Sequence, residues 1–109
     1  MAATKLAYKN IFEAIANDAG EAADLQFRSD MMILLRQLFE AKSWTQADIM
    51  KALDIPQPRV SELVRGKINT LSSDKLISYL AKLGYSLRPT FNAARKQPIR
   101  CEVHELADR

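Results

Sequence analysis

Pro56 and Pro58 stand in the middle of a stretch whose other residues suit a helix, and they divide it. A proline inside a helix removes a backbone donor, its ring collides with the carbonyl four residues earlier, and the residue before it is driven out of the helical region. A helix entering from Thr45 must therefore turn at about Asp54. The next can start only near Pro58, where the missing N–H belongs to a first turn that leaves it unpaired anyway. Thr45 has the form of an N-cap, with Asp48 three residues on as a short-armed capping box, and Gly66 ends the second segment. The chain is obliged to place two short helices on either side of a tight turn.

The apolar spacing says how these helices meet. With Gln46 counted as first, the fourth, eighth, tenth, fifteenth and eighteenth positions hold Ile49, Leu53, Ile55, Val60 and Leu63, and all are aliphatic. Those are the positions at which two helices joined by such a turn pack on each other. A helical pair of this kind with a basic second member is the element of a helix-turn-helix reader of DNA.

The flanking sequence supplies further helices. Ile11, Phe12, Ile15 and Ala19 share one helical face, and Gly20 reads as the C-terminal cap of that segment. From Glu21 to Lys42, Leu25, Met32, Leu35 and Phe39 form one apolar stripe and Phe27, Met31, Leu34 and Leu38 a second beside it, so this segment is expected to be buried around much of its circumference. Ser29 and Asp30 allow either one helix or two there. Ser72 or Ser73 caps a later helix that carries Leu76, Ile77, Leu80 and Leu83 inward until Gly84 stops it. Tyr85–Phe91 is a candidate edge strand interrupted by Pro89, and a mobile tail is expected beyond Asn92. A chain of 109 residues with three glycines and four prolines has room for one domain and few turns for a many-stranded sheet, so an all-α fold is expected.

Charge and composition narrow the class. Residues 44–88 carry Lys51, Arg59, Arg65, Lys67, Lys75, Lys82 and Arg88 against Asp48, Asp54, Glu62 and Asp74. That is an excess of three, equal to the formal net charge of the whole chain, +3. A basic middle suits a polyanion. One cysteine forms no internal disulfide, and neither a signal peptide nor a membrane-length apolar run is present, so a cytoplasmic protein is expected. One histidine, one cysteine and no Gly-rich phosphate loop leave little for an enzyme: no catalytic residue, metal or cofactor is expected. Cys101 and His104 are two ligands at most, too few for a structural zinc site. Trp44 and the Met31–Met32 pair read as core.

The stretch WTQADIMKALDIPQPRVSELVRGKI resembles the Xre family of Cro- and repressor-type regulators, and further the HigA-like antitoxin branch. The Thr-Gln-Ala start, the Gln-Pro-Arg-Val-Ser opening of the second short helix and the Arg-Gly-Lys-Ile exit carry the likeness, together with the upstream EAADLQFRSDMMILLR. The resemblance implies a five-helix repressor-like helix-turn-helix domain over residues 21–84, with the motif itself at 45–66. A helical arm at 1–20 would precede it and an extension at 85–109 follow it. It also implies a homodimer on a palindromic double-stranded operator, repression of its own operon and, in some members, capture of a toxin.

Carried over by that likeness, Gln46 contacts a phosphate and Gln57 reads a base, while Arg59, Ser61 and Glu62 lie on or beside the exposed face of the recognition helix. Glutamine matches adenine in the major groove, arginine guanine, and a carboxylate can accept from cytosine. Arg65 and Lys67 would approach the backbone and set register. The chain departs from the family in having Met50 where a small residue is usual, Asp54 for the turn glycine and Pro56 for a hydroxyl N-cap. Tyr85–Phe91 and the N-terminal helix are the candidate dimer surfaces. The rival expectation is a protein-interaction module that binds a partner through Lys9–Ala19 and the tail, with little DNA binding.

Overall fold

A computed structural model of the chain describes residues 19–106. Within them the proline pair acts as expected: α2 (Gln46–Leu53) and α3 (Gln57–Val64) are separate eight-residue helices joined by a three-residue turn. Asp54 takes a left-handed conformation (φ 54°, ψ 54°), and its N–H returns to the Met50 carbonyl. Aspartate is among the few non-glycine residues that tolerate this region. Ile49, Leu53, Val60 and Leu63 are buried and Ile55 is half-buried against them, so the aliphatic spacing is a packing pattern.

The long upstream segment is one helix, α1 (Ala19–Ala41), which runs unbroken through Ser29 and Asp30. Its first stripe is buried at Leu25, Met32, Leu35 and Phe39. The second is buried at Met31, with Phe27, Leu34 and Leu38 half-buried against the core. Trp44 stacks on Phe39 with 6.1 Å between ring centroids and is also half-buried. Helix α4 (Ser73–Lys82) starts from Ser72, whose hydroxyl accepts from the Lys75 amide, and the chain leaves it through Leu83 and Gly84 (φ 96°). A ring of interactions ties α1 to the far end of the domain. Asp24 accepts from the Ser73 hydroxyl and pairs with Arg28 at 2.7 Å, and Arg28 in turn donates to the Ile68 carbonyl.

Four expectations are corrected. The fold is not all-α with five helices: the described residues hold four helices and a two-stranded antiparallel sheet, β1 (Tyr85–Phe91) with β2 (Ile99–Glu105). Within the stretch beyond Asn92, where a mobile tail was expected, residues 99–105 form a strand, because Ile99, Cys101 and Val103 alternate with Arg100, Glu102 and His104 at the period of a strand. Gly20 is no cap; it lies inside α1. Ile77 is not carried inward but is 43% exposed, because the face toward the core falls at Leu76, Tyr79, Leu80 and Leu83. The helix expected around Ile11, Phe12 and Ile15 lies outside the described residues. No described helix is long and apolar enough to cross a membrane.

Two stability measurements follow from this packing. Leu53 is fully buried and Met50 only half-buried at the helix crossing. Leu53→Ala should cost about 3 to 5 kcal/mol in denaturant unfolding and Met50→Ala less than about 2. A Met50→Ala loss equal to that of Leu53→Ala would show the crossing to be built around the thioether. Asp54→Gly should raise stability by up to about 1 kcal/mol by relieving the left-handed strain, and Asp54→Ala should lower it by a similar amount.

Candidate nucleic-acid interface

Two helix starts face the same side of the motif. Thr45 caps α2 reciprocally: its hydroxyl accepts from the Asp48 amide at 3.2 Å, and the Asp48 carboxylate accepts from the Thr45 amide at 2.8 Å. That capping box fixes the first residue, Gln46, at the surface. Pro56 occupies the N-cap of α3 in extended geometry with no side-chain hydrogen bond, and the first residue of α3 is Gln57. The exposed amides meet, Gln57 Nε2 donating to Gln46 Oε1 at 3.0 Å. One N–H and the carbonyl oxygen of Gln57 remain for another partner.

Val60 and Leu63 turn the inner face of α3 into the core, and the outer face carries Gln57, Pro58 and, one turn on, the half-buried Ser61. Arg65 and Lys67 are exposed at the exit. Arg59 and Glu62 are placed differently. The Arg59 guanidinium pairs with the Glu62 carboxylate at 2.9 Å and donates to the Thr70 carbonyl at 3.3 Å, which ties α3 to the loop that follows it. Thr70 itself donates to the Lys67 carbonyl. Both side chains act on Tyr79: burial pushes its phenol upward, Arg59 pulls the other way and Glu62 adds to the rise.

Arg36 and Arg28 have a role that the charge pattern did not reveal. Arg36 donates to the Val64 carbonyl at 3.2 Å, at the C-terminal end of α3 where the helix dipole favours positive charge, and Arg28 donates to the Ile68 carbonyl in the loop beyond it. Partners 28 and 40 residues apart leave no local signal in a sequence. Cys101 and His104 fall on opposite faces of β2, and His104 bonds Glu102 at 2.9 Å. Among the described residues no three His, Cys, Asp or Glu side chains are grouped as metal ligands.

A sequence model of a helix-turn-helix domain matches residues 15–88, which contain all four helices and the start of β1. No curated protein and no solved structure matches the chain. The matched span covers well over half of the sequence and includes the two helices, their turn and the elements that hold them. The chain therefore belongs to a helix-turn-helix domain family of DNA-binding proteins.

Proposed function

We propose that the chain is a cytoplasmic, sequence-specific transcriptional regulator that represses by binding a palindromic operator as a homodimer, with α3 as the helix inserted in the major groove. The observation that carries this reading is the Gln46–Gln57 bridge, which joins the first residues of α2 and α3 at the exposed surface and orients the Gln57 amide. A glutamine so oriented presents donor and acceptor together, the pattern that matches adenine. Ser61 extends the reading face by one turn, and Gln46, Arg65 and Lys67 contact phosphates on either side. Arg59 engages both Glu62 and the Thr70 carbonyl, which supports a part for this pair in holding α3 in register; Arg59 would reach a guanine only by releasing both partners. One short helix reads only a few base pairs, and a paired half-site about 34 Å away multiplies the affinity, which is the case for the dimer.

The likeness to HigA-like antitoxins supports a further assignment, an antitoxin that represses its own operon and holds a toxin encoded beside it. Co-purification with a small basic ribonuclease-like product of the adjacent frame is expected on that assignment, and an adjacent frame of unrelated character removes it.

Contrasting the two ends of α3 tests the DNA reading. Gln57→Ala should cost about 1 to 3 kcal/mol on the preferred operator and far less on random DNA, so specificity falls more than affinity. Arg65→Ala should weaken operator and random DNA by similar factors and flatten the plot of log affinity against log salt by roughly one unit. Titrations of both variants on both DNAs at three salt concentrations measure this. An operator preference that survives Gln57→Ala would remove α3 from the groove.

A further inference from the structure

The hairpin ends the described chain with its apolar face only partly covered. Cross-strand partners Tyr85 and Glu105, Leu87 and Val103, Pro89 and Cys101, and Phe91 and Ile99 share one face, and among these eight residues only Glu105 is charged. The opposite face carries Ser86, Arg88, Thr90, Arg100, Glu102 and His104, and Arg95 from the turn bonds Thr90, Glu102 and the Pro98 carbonyl across it. Tyr85 and Leu87 seat the near end of the apolar face on the core. Beyond them Phe91 is 71% exposed and Ile99 76%, and Val103, opposite Leu87, is 44% exposed. An alternating strand pair keeps one face apolar in order to bury it, and among the described residues the helices cover only the first part.

The backbone says which edge is open. The Asn92 amide donates to the Pro98 carbonyl and the Leu106 amide to the Gly84 carbonyl, each at 2.8 Å, which extends the strand register by one pair at each end. In an antiparallel pair hydrogen-bonded positions alternate, so the even-numbered residues of β2 bond to β1. Ile99, Cys101, Val103 and Glu105 then turn their N–H and C=O groups outward. The same alternation turns Pro89 outward on β1, and proline has no N–H to offer. The edge of β1 is interrupted at its middle; that of β2 is complete.

We propose that β2 is the seam of a two-fold homodimer, paired antiparallel with β2 of a second copy and centred on Cys101. This names the surface of the dimer that the proposed function needs, and it rests on that reading. In this register Cys101 faces Cys101 of the partner subunit, Ile99 faces Val103 of the partner subunit, and Arg100 faces Glu102 of the partner subunit. About six backbone hydrogen bonds form between the outward-facing residues, and the result is a four-stranded sheet with one continuous apolar face.

Charge selects this register over its neighbours. A shift that centres the pairing on Arg100 or on Glu102 places like charges directly opposite each other. Centring on Val103 leaves Ile99 and Arg100 with no strand residue opposite. Arg100 has no ionic partner within the described residues. Glu102 is held below the usual carboxylate range, first by the His104 hydrogen bond and then by Arg95, so it meets the incoming arginine as an anion.

The single cysteine makes the test direct. Light scattering of the full chain at micromolar concentration should give a dimer. A short bismaleimide should then join the two Cys101 thiols almost completely, since paired strand residues have Cα atoms about 5.5 Å apart. Arg100→Glu alone and Glu102→Arg alone should each weaken the dimer roughly tenfold, by turning two attractive pairs into repulsive ones. An equimolar mixture of the two variants should recover wild-type affinity as a heterodimer, because each altered charge then meets its opposite. Val103→Pro removes an outward N–H without touching the bonds to β1 and should give a monomer with unchanged helix content.

A dimer that resists the bismaleimide and tolerates all three substitutions overturns the seam and leaves the dimeric regulator standing. A monomer under all conditions, with and without operator DNA, overturns the seam and the dimer together. The Gln57→Ala titration would still decide DNA binding.

Discussion

The three residues between α2 and α3 set the angle on which the rest of the motif depends. Asp54 in a left-handed pose reverses the chain, Ile55 drops its side chain toward the core, and Pro56 leaves in extended geometry. Because Leu53 and Val60 are fully buried on the two sides of this turn, the angle is held by packing as well as by backbone preference. The meeting of Gln46 and Gln57 depends on it. So does the reach of α1, whose Arg36 can cap the Val64 carbonyl only if α3 ends where this turn sends it.

The helical pair and its core were legible because their determinants are local. A proline excludes helix at its own position, a threonine caps within three residues, and five aliphatic residues at the right spacing need no knowledge of distant partners. Ser29 and Asp30 could not be decided in the same way. Both sit in a helix whose neighbours Met31 and Met32 are buried, and that packing holds the segment continuous against the local preference of serine and aspartate for a helix start. Arg59 and Glu62 were read as two groups facing DNA; neither their pairing with each other nor the Thr70 carbonyl that orients Arg59 was read from the sequence.

The hairpin shows the opposite case. Its period-two alternation, Ile99-Arg-Cys-Glu-Val-His-Glu, was present in the sequence, yet a single strand carries no evidence of what it pairs with. Tyr85–Phe91 read as an edge strand because no partner was in view. With β2 added, Thr90, Arg95 and Glu102 form a closed polar set across one face, and the pairing explains why an arginine stands in the connecting turn.

The prolines that open α3 also change what that helix end can hold. A helix ordinarily begins with several amides that lack an internal acceptor, and these attract anions. Here Pro56 and Pro58 have no amide hydrogen, and the Arg59 and Val60 amides both return to the Pro56 carbonyl at 3.0 and 3.3 Å. Only the Gln57 amide is left over in that turn. The start of α3 is thereby a poor phosphate trap, whereas α2 keeps the free amides of Gln46 and Ala47. On the proposed reading this asymmetry lets α2 take hold of the DNA backbone while the tip of α3, with little to offer a phosphate, slides past it to the bases.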